Sequence, residues 1–202
     1  MEPLSYGPYA YQSIRNRPRL NWPNGARIAF WVVPNIECFA LDEVIPGSTG
    51  AVPDVSAFGR RDYGNRVAVY RMIDIMARHG VPGTVALNSD VCDVCPEVVD
   101  ACLEHGWEMM GHCQSNTRRI IDAPGKEAGD QIVRDTLDRI EKHTGKRPKG
   151  WLGAGRQETW GTLDRLASAG CTYVVDWDSD DQPLTMDVGG RVLVSLPYGA
   201  GV

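Results

Sequence analysis

Two side chains in this sequence have the type and surroundings for acid–base chemistry, Glu37 and His112. Glu37 follows an apolar run, where partial burial can raise the pKa of a carboxyl group toward that of a general base. His112 follows Gly111 at the end of WEMMG, and an imidazole there can hold a metal ion or transfer a proton. The structural alternatives are a salt bridge from Glu37 to Arg61 or Arg66, and a core histidine hydrogen-bonded to the backbone.

Two further segments contain side chains that could contact a substrate. The acidic run from Asp176 to Asp181 begins like a calcium loop, but Asp181 stands where that loop needs glycine. We therefore interpret the run as a loop that brings one or two carboxylates to the site. The stretch Arg60–Arg66, which includes Tyr63, is either a solvated helix cap or a clamp whose guanidinium groups bind a planar carbonyl or carboxylate.

The elements that would position these residues follow a repeated pattern. Several times, a helix-like stretch ends at a glycine, and a short apolar run follows within a few residues. Glycine after the last turn supplies a left-handed cap, and continuous apolar runs are typical of strands covered on both faces. The pairs are RMIDIMARHG with TVALN, EVVDACLEHG with WEMMGH, RDTLDRIEKHTG with GWLG, and TLDRLASAG with TYVVDW.

This alternation predicts an α/β fold with parallel strands and right-handed crossovers. Arg27–Val33 is predicted as the first strand and Arg191–Leu196 as the last, and no clear helix is expected between Glu37 and Arg66. No glycine-rich phosphate loop follows the first strand, so an irregular (β/α) barrel is favoured over a dinucleotide-binding open sheet. Because catalytic side chains come from the carboxyl ends of parallel strands, Glu37, His112 and the acidic run are expected on one rim.

Composition narrows the range of partners. The 202-residue chain has a net charge of -5 and a pI near 5.4, which argues against binding to nucleic acid or to anionic membranes. No apolar stretch is long enough to span a bilayer, and the N-terminus lacks the apolar core of a signal peptide, so a cytoplasmic location is expected. The six cysteines are expected to stay reduced, and the zinc-like spacing from Cys92 to His105 is better explained by a helix that buries Cys102.

Four segments together resemble the polysaccharide deacetylase superfamily: RDYGNRVAVYRMIDIMARHGVPGTVALNSDVC, GWEMMGHCQSNTRR, GWLGAGRQET and VVDWDSDDQP. They resemble most closely its branch of metal-independent allantoinases and cyclic imide hydrolases. The resemblance runs from about Pro18 to Tyr198 and implies a distorted (β/α) barrel that hydrolyses a linear or cyclic amide. We accordingly expect an N-terminal extension over residues 1–20 and a deacetylase-like barrel domain over residues 21–202, incomplete at its C-terminal end.

The resemblance also bears on a metal. The usual site of the superfamily has an aspartate after the first strand and two histidines spaced H-x3-H. In this sequence Glu37 stands near the place of the acid, His112 matches the first histidine, and Asn116 replaces the second. These three residues would hold a divalent ion such as zinc if one is bound, but a neutral amide is a poor zinc ligand, so the resemblance favours the metal-independent branch. The segment Gly153–Arg156 stands in for the catalytic-arginine motif.

The function implied by the resemblance is a hydrolase of non-peptide C–N bonds that acts on a small amide, cyclic imide, ureide or N-acetyl compound. Glu37 would activate or orient a water molecule, and His112 would polarise the carbonyl group or protonate the leaving nitrogen. The candidate substrate-binding residues are Tyr63, Arg66, Asn116, Asp176 and Trp177.

A non-catalytic relative that binds a ligand or a partner remains the alternative, supported by Asn116 in place of the second histidine and by the early end of the barrel. An incomplete barrel also exposes a strand edge, so a homo-oligomer is expected. Its interface could use the aromatic surface of Trp151, Trp160 and Trp177.

Overall fold

The computed structural model describes residues 7–199, so the first six residues of the predicted N-terminal extension and the last three of the predicted barrel domain lie outside it. The helices within this range are α1 Val55–Tyr63, α2 Val69–Arg78, α3 Val91–Val94, α4 Pro96–Glu104, α5 Lys126–Thr144 and α6 Thr162–Ser168, and a π-helical turn, Gly64–Ala68, joins α1 to α2. The strands are β1 Asn35–Ile36, β2 Thr84–Leu87, β3 Glu108–Gly111, β4 Gly150–Trp151, β5 Tyr173–Val174, β6 Leu184–Val188 and β7 Arg191–Ser195.

These strands form one seven-stranded sheet in the order β1-β2-β3-β4-β5-β7-β6. All neighbouring pairs are parallel except β6 with β7, which is antiparallel. Within the described residues the sheet does not close, because β1 and β6 each have a neighbour on one side only. The predicted α/β fold of the irregular (β/α) barrel type is therefore confirmed, with an open sheet.

The predicted helix–strand units are also confirmed. They correspond to α2 with β2, α4 with β3, α5 with β4, and α6 with β5. The glycine after each helix has a positive φ, from 63° at Gly80 to 91° at Gly170, which is the left-handed conformation of a helix cap. These units succeed each other along the sheet, so the carboxyl ends of β1 to β5 meet at one edge.

The parallel strands are buried on both faces. Val85 and Leu87 of β2 pack with the apolar stripes of α2 and α4, whereas Ala86 packs on the opposite face with Met110 and Leu152. Each fully buried Val or Leu side chain contributes about 1.5–3 kcal/mol. This packing makes the strands a rigid base for the residues at their ends.

Two sequence-based expectations about the start of the fold are wrong. The first strand is Asn35–Ile36 and not Arg27–Val33, in which Val32 makes only an isolated bridge to Gly83 and Phe30 is 77% exposed. An apolar segment forms a strand only if a neighbouring strand pairs with it through a continuous series of backbone hydrogen bonds, and Arg27–Val33 has no such partner. The segment between Glu37 and Arg66 does contain a helix, α1, whose first turn is capped by the Asp54 carboxylate accepting a hydrogen bond from the Ala57 backbone N–H at 2.9 Å.

The C-terminal strand also has an unexpected partner. The predicted strand Arg191–Leu196 is β7, but it forms an antiparallel hairpin with β6 across Gly189–Gly190. Both glycines have positive φ, which suits the tight turn. The hairpin adds β6 as an end strand that the helix–strand pattern did not reveal.

The tryptophans proposed as interface surface behave differently from one another. Trp151 lies in the core with 0% of its surface exposed, so its predicted part in an interface is wrong. Trp177 is half-buried beneath the N-terminal segment, where its ring meets that of Tyr9 edge-on at 5.9 Å between centroids. Trp160 is 68% exposed. Arg17 in the same N-terminal segment forms an ion pair with Asp180, so this segment lies across the acidic loop.

In the part of the chain that the structure describes, none of the helices combines the length and apolar character needed to cross a bilayer.

Candidate active site

The side chains of Glu37 and His112 meet at the carboxyl edge of the sheet. Glu37 directly follows β1 and His112 directly follows β3, with β2 between the two strands. The Oε1 atom of Glu37 lies 3.4 Å from Nε2 of His112. His112 has 2% of its side chain exposed and Glu37 has 28%, so the contact lies at the boundary between the core and solvent. The structure thus brings together the two residues that the sequence singled out.

Asn88, at the end of the intervening strand β2, holds these two strand ends in register. Its Oδ1 atom accepts a hydrogen bond from the backbone N–H of Cys38 at 2.8 Å, and its amide nitrogen donates to the carbonyl oxygen of His112. Asn88 is completely buried. One amide side chain therefore ties the residue after Glu37 to His112 itself. Its position directly after a buried strand was the sequence signal for this role.

The hydrogen bonds of His112 determine which ring nitrogen faces Glu37. Nδ1 lies 2.7 Å from the carbonyl oxygen of Leu152, and a carbonyl oxygen can only accept, so Nδ1 carries a proton. Nε2 faces the Glu37 carboxylate, which is also an acceptor. The contact is therefore favourable when Nε2 is protonated as well, that is, when His112 is an imidazolium ion beside an ionised Glu37.

The electrostatics of Glu37 support this arrangement. Burial acts to raise the pKa of Glu37, but the hydrogen bond and charge of His112, a hydrogen bond from Asn116 and the charge of Arg61 together hold the pKa below its ordinary value. The expectation that burial leaves this carboxyl with the raised pKa of a strong base is wrong. The lowered pKa favours the ionised form of Glu37, which is suited to orient water and to accept a hydrogen bond from a protonated Nε2 of His112.

The donor set does not fit a zinc site formed by Glu37, His112 and Asn116. The Asn116 amide hydrogen-bonds the Glu37 carboxyl, which requires its N–H group to point there, and its Oδ1 atom accepts from Asn88 at 3.4 Å. The amide oxygen is thus turned toward a neighbouring donor. Among residues 7–199, no group of three His, Cys, Asp or Glu side chains is arranged to hold a metal ion.

A second carboxylate approaches His112 from the other side. Asp176 lies just beyond β5, and its Oδ1 atom accepts a hydrogen bond from the backbone N–H of Gly153 at 2.7 Å. The carbonyl oxygen of the same peptide group, that of Leu152, accepts from Nδ1 of His112. Burial raises the pKa of Asp176, opposed by the Gly153 hydrogen bond, a hydrogen bond from Glu158 and the charge of His112. The acidic loop thus delivers one carboxylate to the site, as the sequence predicts.

Glu158 is a site residue to which sequence reasoning assigned no role. Its Oε1 atom accepts a hydrogen bond from the indole N–H of Trp177 at 3.0 Å, and its carboxyl group lies close enough to that of Asp176 for each to affect the pKa of the other. Burial and the neighbouring charge of Asp176 both raise the pKa of Glu158. Trp177, predicted to bind substrate, is placed here as the hydrogen-bond donor to Glu158.

Arg156 supplies a positive charge beside these acids. Its Nη2 atom lies 2.7 Å from an oxygen of Asp178, and its charge acts on Asp176. Arg156 has a φ of 55°, a left-handed conformation that a non-glycine residue seldom adopts. The Arg156 guanidinium group, in the segment Gly153–Arg156 that the resemblance matched to the catalytic-arginine motif, therefore lies close to Asp176.

The structure does not bring Tyr63 and Arg66 to Glu37. Arg66 is mainly exposed and pairs with Asp62, and the hydroxyl of Tyr63 accepts a hydrogen bond from Arg71 at 3.1 Å. These contacts match the solvated-cap interpretation of the stretch. Their predicted contact with a substrate stays a prediction.

Other residues of the same stretch do reach Glu37. The Asn65 side chain donates to the Glu37 carbonyl oxygen at 2.8 Å, and the Arg61 guanidinium lies 4.6 Å from the centre of the Phe39 ring. Glu37, Arg61 and Asn65 line a cavity of about 50 Å³. That volume has room for one or two water molecules.

A larger cavity lies elsewhere. It measures about 730 Å³ and separates the N-terminal segment from the chain around Asp180 and Leu184. Neither Glu37 nor His112 lines it. Its size would suit a small molecule, but it offers no contact with the two residues that carry the acid–base chemistry.

The arrangement therefore places three polar groups at one edge. Glu37 is favoured as an anion and lines a water-sized cavity, the Nδ1–H bond of His112 fixes the orientation of its ring, and Asp176 is a second acid connected to His112 through a peptide group. The pKa of Glu37 is lowered and that of Asp176 is raised, and opposite pKa shifts of two carboxyl groups are typical of acid–base sites.

Comparison with known proteins identifies the family of the chain. A family model described as polysaccharide deacetylase matches residues 61–174, more than half of the chain. No curated protein matches the sequence.

Solved structures show the same fold. A protein of Mycobacterium smegmatis provisionally assigned as a polysaccharide deacetylase is 23% identical with a TM-score of 0.77, over 90% of this chain and 62% of that one. A probable polysaccharide deacetylase of Pseudomonas aeruginosa PAO1 is 24% identical with a TM-score of 0.77, over 92% and 66%. PuuE allantoinase is 22% identical with a TM-score of 0.77, over 91% and 66%. At these identities the likeness establishes the fold, and this chain spans 62% to 66% of the length of those three proteins.

Proposed function

Because this chain belongs to the polysaccharide deacetylase family, we propose that it hydrolyses a non-peptide C–N bond by means of an activated water molecule. The observation that carries the proposal is the 3.4 Å contact between Oε1 of Glu37 and Nε2 of His112 at the carboxyl edge of the sheet. An anion and an imidazole that can donate a proton thereby lie within one hydrogen-bonding contact of each other, as hydrolysis of an amide or imide requires.

The proposed reaction uses the pair in sequence. A water molecule held by the Glu37 carboxylate attacks the carbonyl carbon and passes one proton to Glu37. The His112 imidazolium donates its Nε2 proton to the leaving nitrogen, and the C–N bond breaks. Glu37 then returns its proton to Nε2 across the 3.4 Å contact, which restores the starting state with all protons accounted for.

Two observations support the choice of His112 as the acid. Its Nδ1–H bond to Leu152 fixes the ring, so Nε2 can point only toward Glu37 and the site. Nε2 lies 3.4 Å from the Glu37 carboxylate, an acceptor toward which a protonated Nε2 can donate. Asp176, acting through the Leu152–Gly153 peptide, adds further negative charge behind the ring.

The reaction is proposed to need no metal ion. The hydrogen bonds of Asn116 occupy the position where a second histidine would complete a zinc site, and they turn its N–H group toward Glu37. The proposed substrate is accordingly a compound whose planar amide, imide, ureide or N-acetyl group can be bound by hydrogen bonds alone. The polar side chains at the edge suit such a neutral planar group.

The test is turnover of succinimide, allantoin and an N-acetylglucosamine oligomer by the full chain, before and after prolonged dialysis against a strong chelator. We expect turnover of at least one of the three, unchanged by chelation within about twofold. Absence of turnover with all three would refute the hydrolase proposal, and turnover that disappears on chelation and returns with zinc would refute metal independence.

A further inference from the structure

We infer that Glu158 is a positioning residue of this site: its protonated carboxyl group donates a hydrogen bond to Asp176 and thereby holds Asp176 in place behind His112. The inference rests on the proposed function for its catalytic consequence. Its structural part stands on contacts of the described residues alone, so the two can be tested separately.

Asp176 has a buried carboxylate oxygen that lacks a hydrogen-bond donor. Oδ1 accepts from Gly153 at 2.7 Å, but Oδ2 is buried and has no hydrogen-bond partner. A buried carboxylate oxygen without a donor is costly. Burial raises the pKa of Asp176 and the neighbouring Glu158 carboxyl group acts to lower it, so the two carboxyl groups lie close together. Two carboxyl groups can share a hydrogen bond only if one of them carries a proton.

The proton shared by the two carboxyl groups belongs to Glu158. Oε1 of Glu158 accepts from the Trp177 indole at 3.0 Å, which leaves the other oxygen of Glu158 free to carry the proton. Asp176 is faced by the Gly153 N–H and by the charges of His112 and Arg156, all of which favour its ionised form. Burial and the charge of Asp176 favour the neutral form of Glu158, as its raised pKa reflects.

Asp176 and Glu158 are connected to His112 through the Leu152–Gly153 peptide group. Asp176 accepts from the N–H of the Leu152–Gly153 peptide, and His112 donates to the C=O of the same peptide. Hydrogen bonds at opposite ends of a peptide group polarise it and strengthen each other. An ionised, correctly oriented Asp176 therefore makes the Leu152 oxygen a better acceptor, which strengthens its hydrogen bond from Nδ1 of His112 and fixes the ring more firmly. Loss of Glu158 would weaken that effect without removing any group that touches the proposed substrate.

The test compares two substitutions at one position. In Glu158→Gln, the amide oxygen can still accept from Trp177 and the amide N–H can still donate to Asp176, so the variant mimics protonated glutamic acid permanently. In Glu158→Ala both bonds are lost. With succinimide or allantoin as the probe, we expect Glu158→Gln to keep kcat within about threefold of wild type and Glu158→Ala to lose at least about tenfold.

The pH profile separates positioning from mere structural support. Wild type should lose activity as pH rises through the raised pKa of Glu158, because ionisation places two negative charges side by side. Glu158→Gln has no such proton and should lack this alkaline limb. The titratable and charged groups that act on the pair from neighbouring elements are His112, Arg156 and the Cys113 thiol, and they are the same in both proteins. Equal losses in both variants, or identical alkaline limbs in wild type and Glu158→Gln, would overturn the inference.

A second measurement needs no turnover. In nuclear magnetic resonance spectra of the full chain, the Gly153 amide proton reports its bond to Asp176. We expect its resonance to be nearly unchanged in Glu158→Gln and clearly shifted in Glu158→Ala, with Glu127→Gln, an exposed position in the first turn of α5, as the control. An unchanged resonance in Glu158→Ala would refute the positioning role even if the enzyme proves active. The expected shifts in a protein without turnover would uphold the contact and refute the proposed function alone.

Discussion

His112 and Asp176 bind opposite ends of one peptide group. Nδ1 of His112 lies 2.7 Å from the carbonyl oxygen of Leu152, and the N–H of Gly153 lies 2.7 Å from Oδ1 of Asp176. The peptide follows β4, between the ends of β3 and β5, so the parallel register places the histidine and the acid on its two sides. A carboxylate can thus influence the imidazole without contacting it, and the Nε2 side of the ring stays available to Glu37.

Replacement of His112 by Ala should remove the proposed activity. The substitution deletes the proton donor to the leaving nitrogen, and loss of a general acid typically costs about 10²–10⁴-fold in rate. The measurement is kcat on whichever probe the wild type turns over. His143→Ala is the matched control, because His143 lies in the last turn of α5, paired with Asp100 and remote from Glu37. Undiminished activity in His112→Ala would refute the assignment of the site.

Replacement of Glu37 by Gln should change the acid dependence of stability. The folded pKa of Glu37 is below its ordinary 4.5, so its ionised form stabilises the fold above about that pH, and this contribution is lost as pH falls through the lowered pKa. The difference in unfolding free energy between wild type and Glu37→Gln should therefore shrink on acidification. Urea denaturation at a series of pH values measures it.

The control for this experiment is Glu104→Gln, an exposed position at the end of α4. It should follow the wild-type curve throughout. A stability difference for Glu37→Gln that stays constant across the acid range would show that Glu37 is not stabilised as an anion in the folded protein.

Replacement of Asn88 by Ala should damage both stability and activity. The Cys38 N–H loses its buried acceptor and the His112 carbonyl loses a buried donor, and each unsatisfied group costs about 1–3 kcal/mol. With β1 and β3 no longer tied together, the contact between Glu37 and His112 should loosen and kcat should fall at least about tenfold. Asn16→Ala, at an exposed position, should be neutral. Wild-type kcat in folded Asn88→Ala would argue against a positioning role.

Replacement of Gly111 by Ala should destabilise the fold next to His112. A Cβ atom there would lie 2.6 Å from the Trp151 ring, a distance that forces the buried indole to move. Overpacking of this kind costs about 1–3 kcal/mol. The contrasting control is Gly59→Ala in helix α1, where a Cβ atom meets nothing within 4 Å and alanine should stabilise by up to about 1 kcal/mol. Thermal unfolding of both variants checks the opposite signs.

The sequence by itself determined the helix–strand units and indicated which strand ends carry the candidate site residues. Helix periodicity, a glycine cap and an apolar strand are local signals, and they located α2 with β2 as reliably as α6 with β5. Because parallel strands align their carboxyl ends, Glu37 and His112 could be expected on the same edge from their order alone. Local signals failed at Arg27–Val33, since an apolar run becomes a strand only where another strand pairs with it.

Only the tertiary structure decided how the site works. The lowered pKa of Glu37 depends on His112, Asn116 and Arg61, which come from distant parts of the chain, so burial read from the sequence gave the wrong direction. The contact of Glu158 with Trp177 likewise joins a loop after β4 to one after β5. Electrostatic effects depend on distances between such groups, and those distances are set by strand register and packing, which no short segment of the sequence contains.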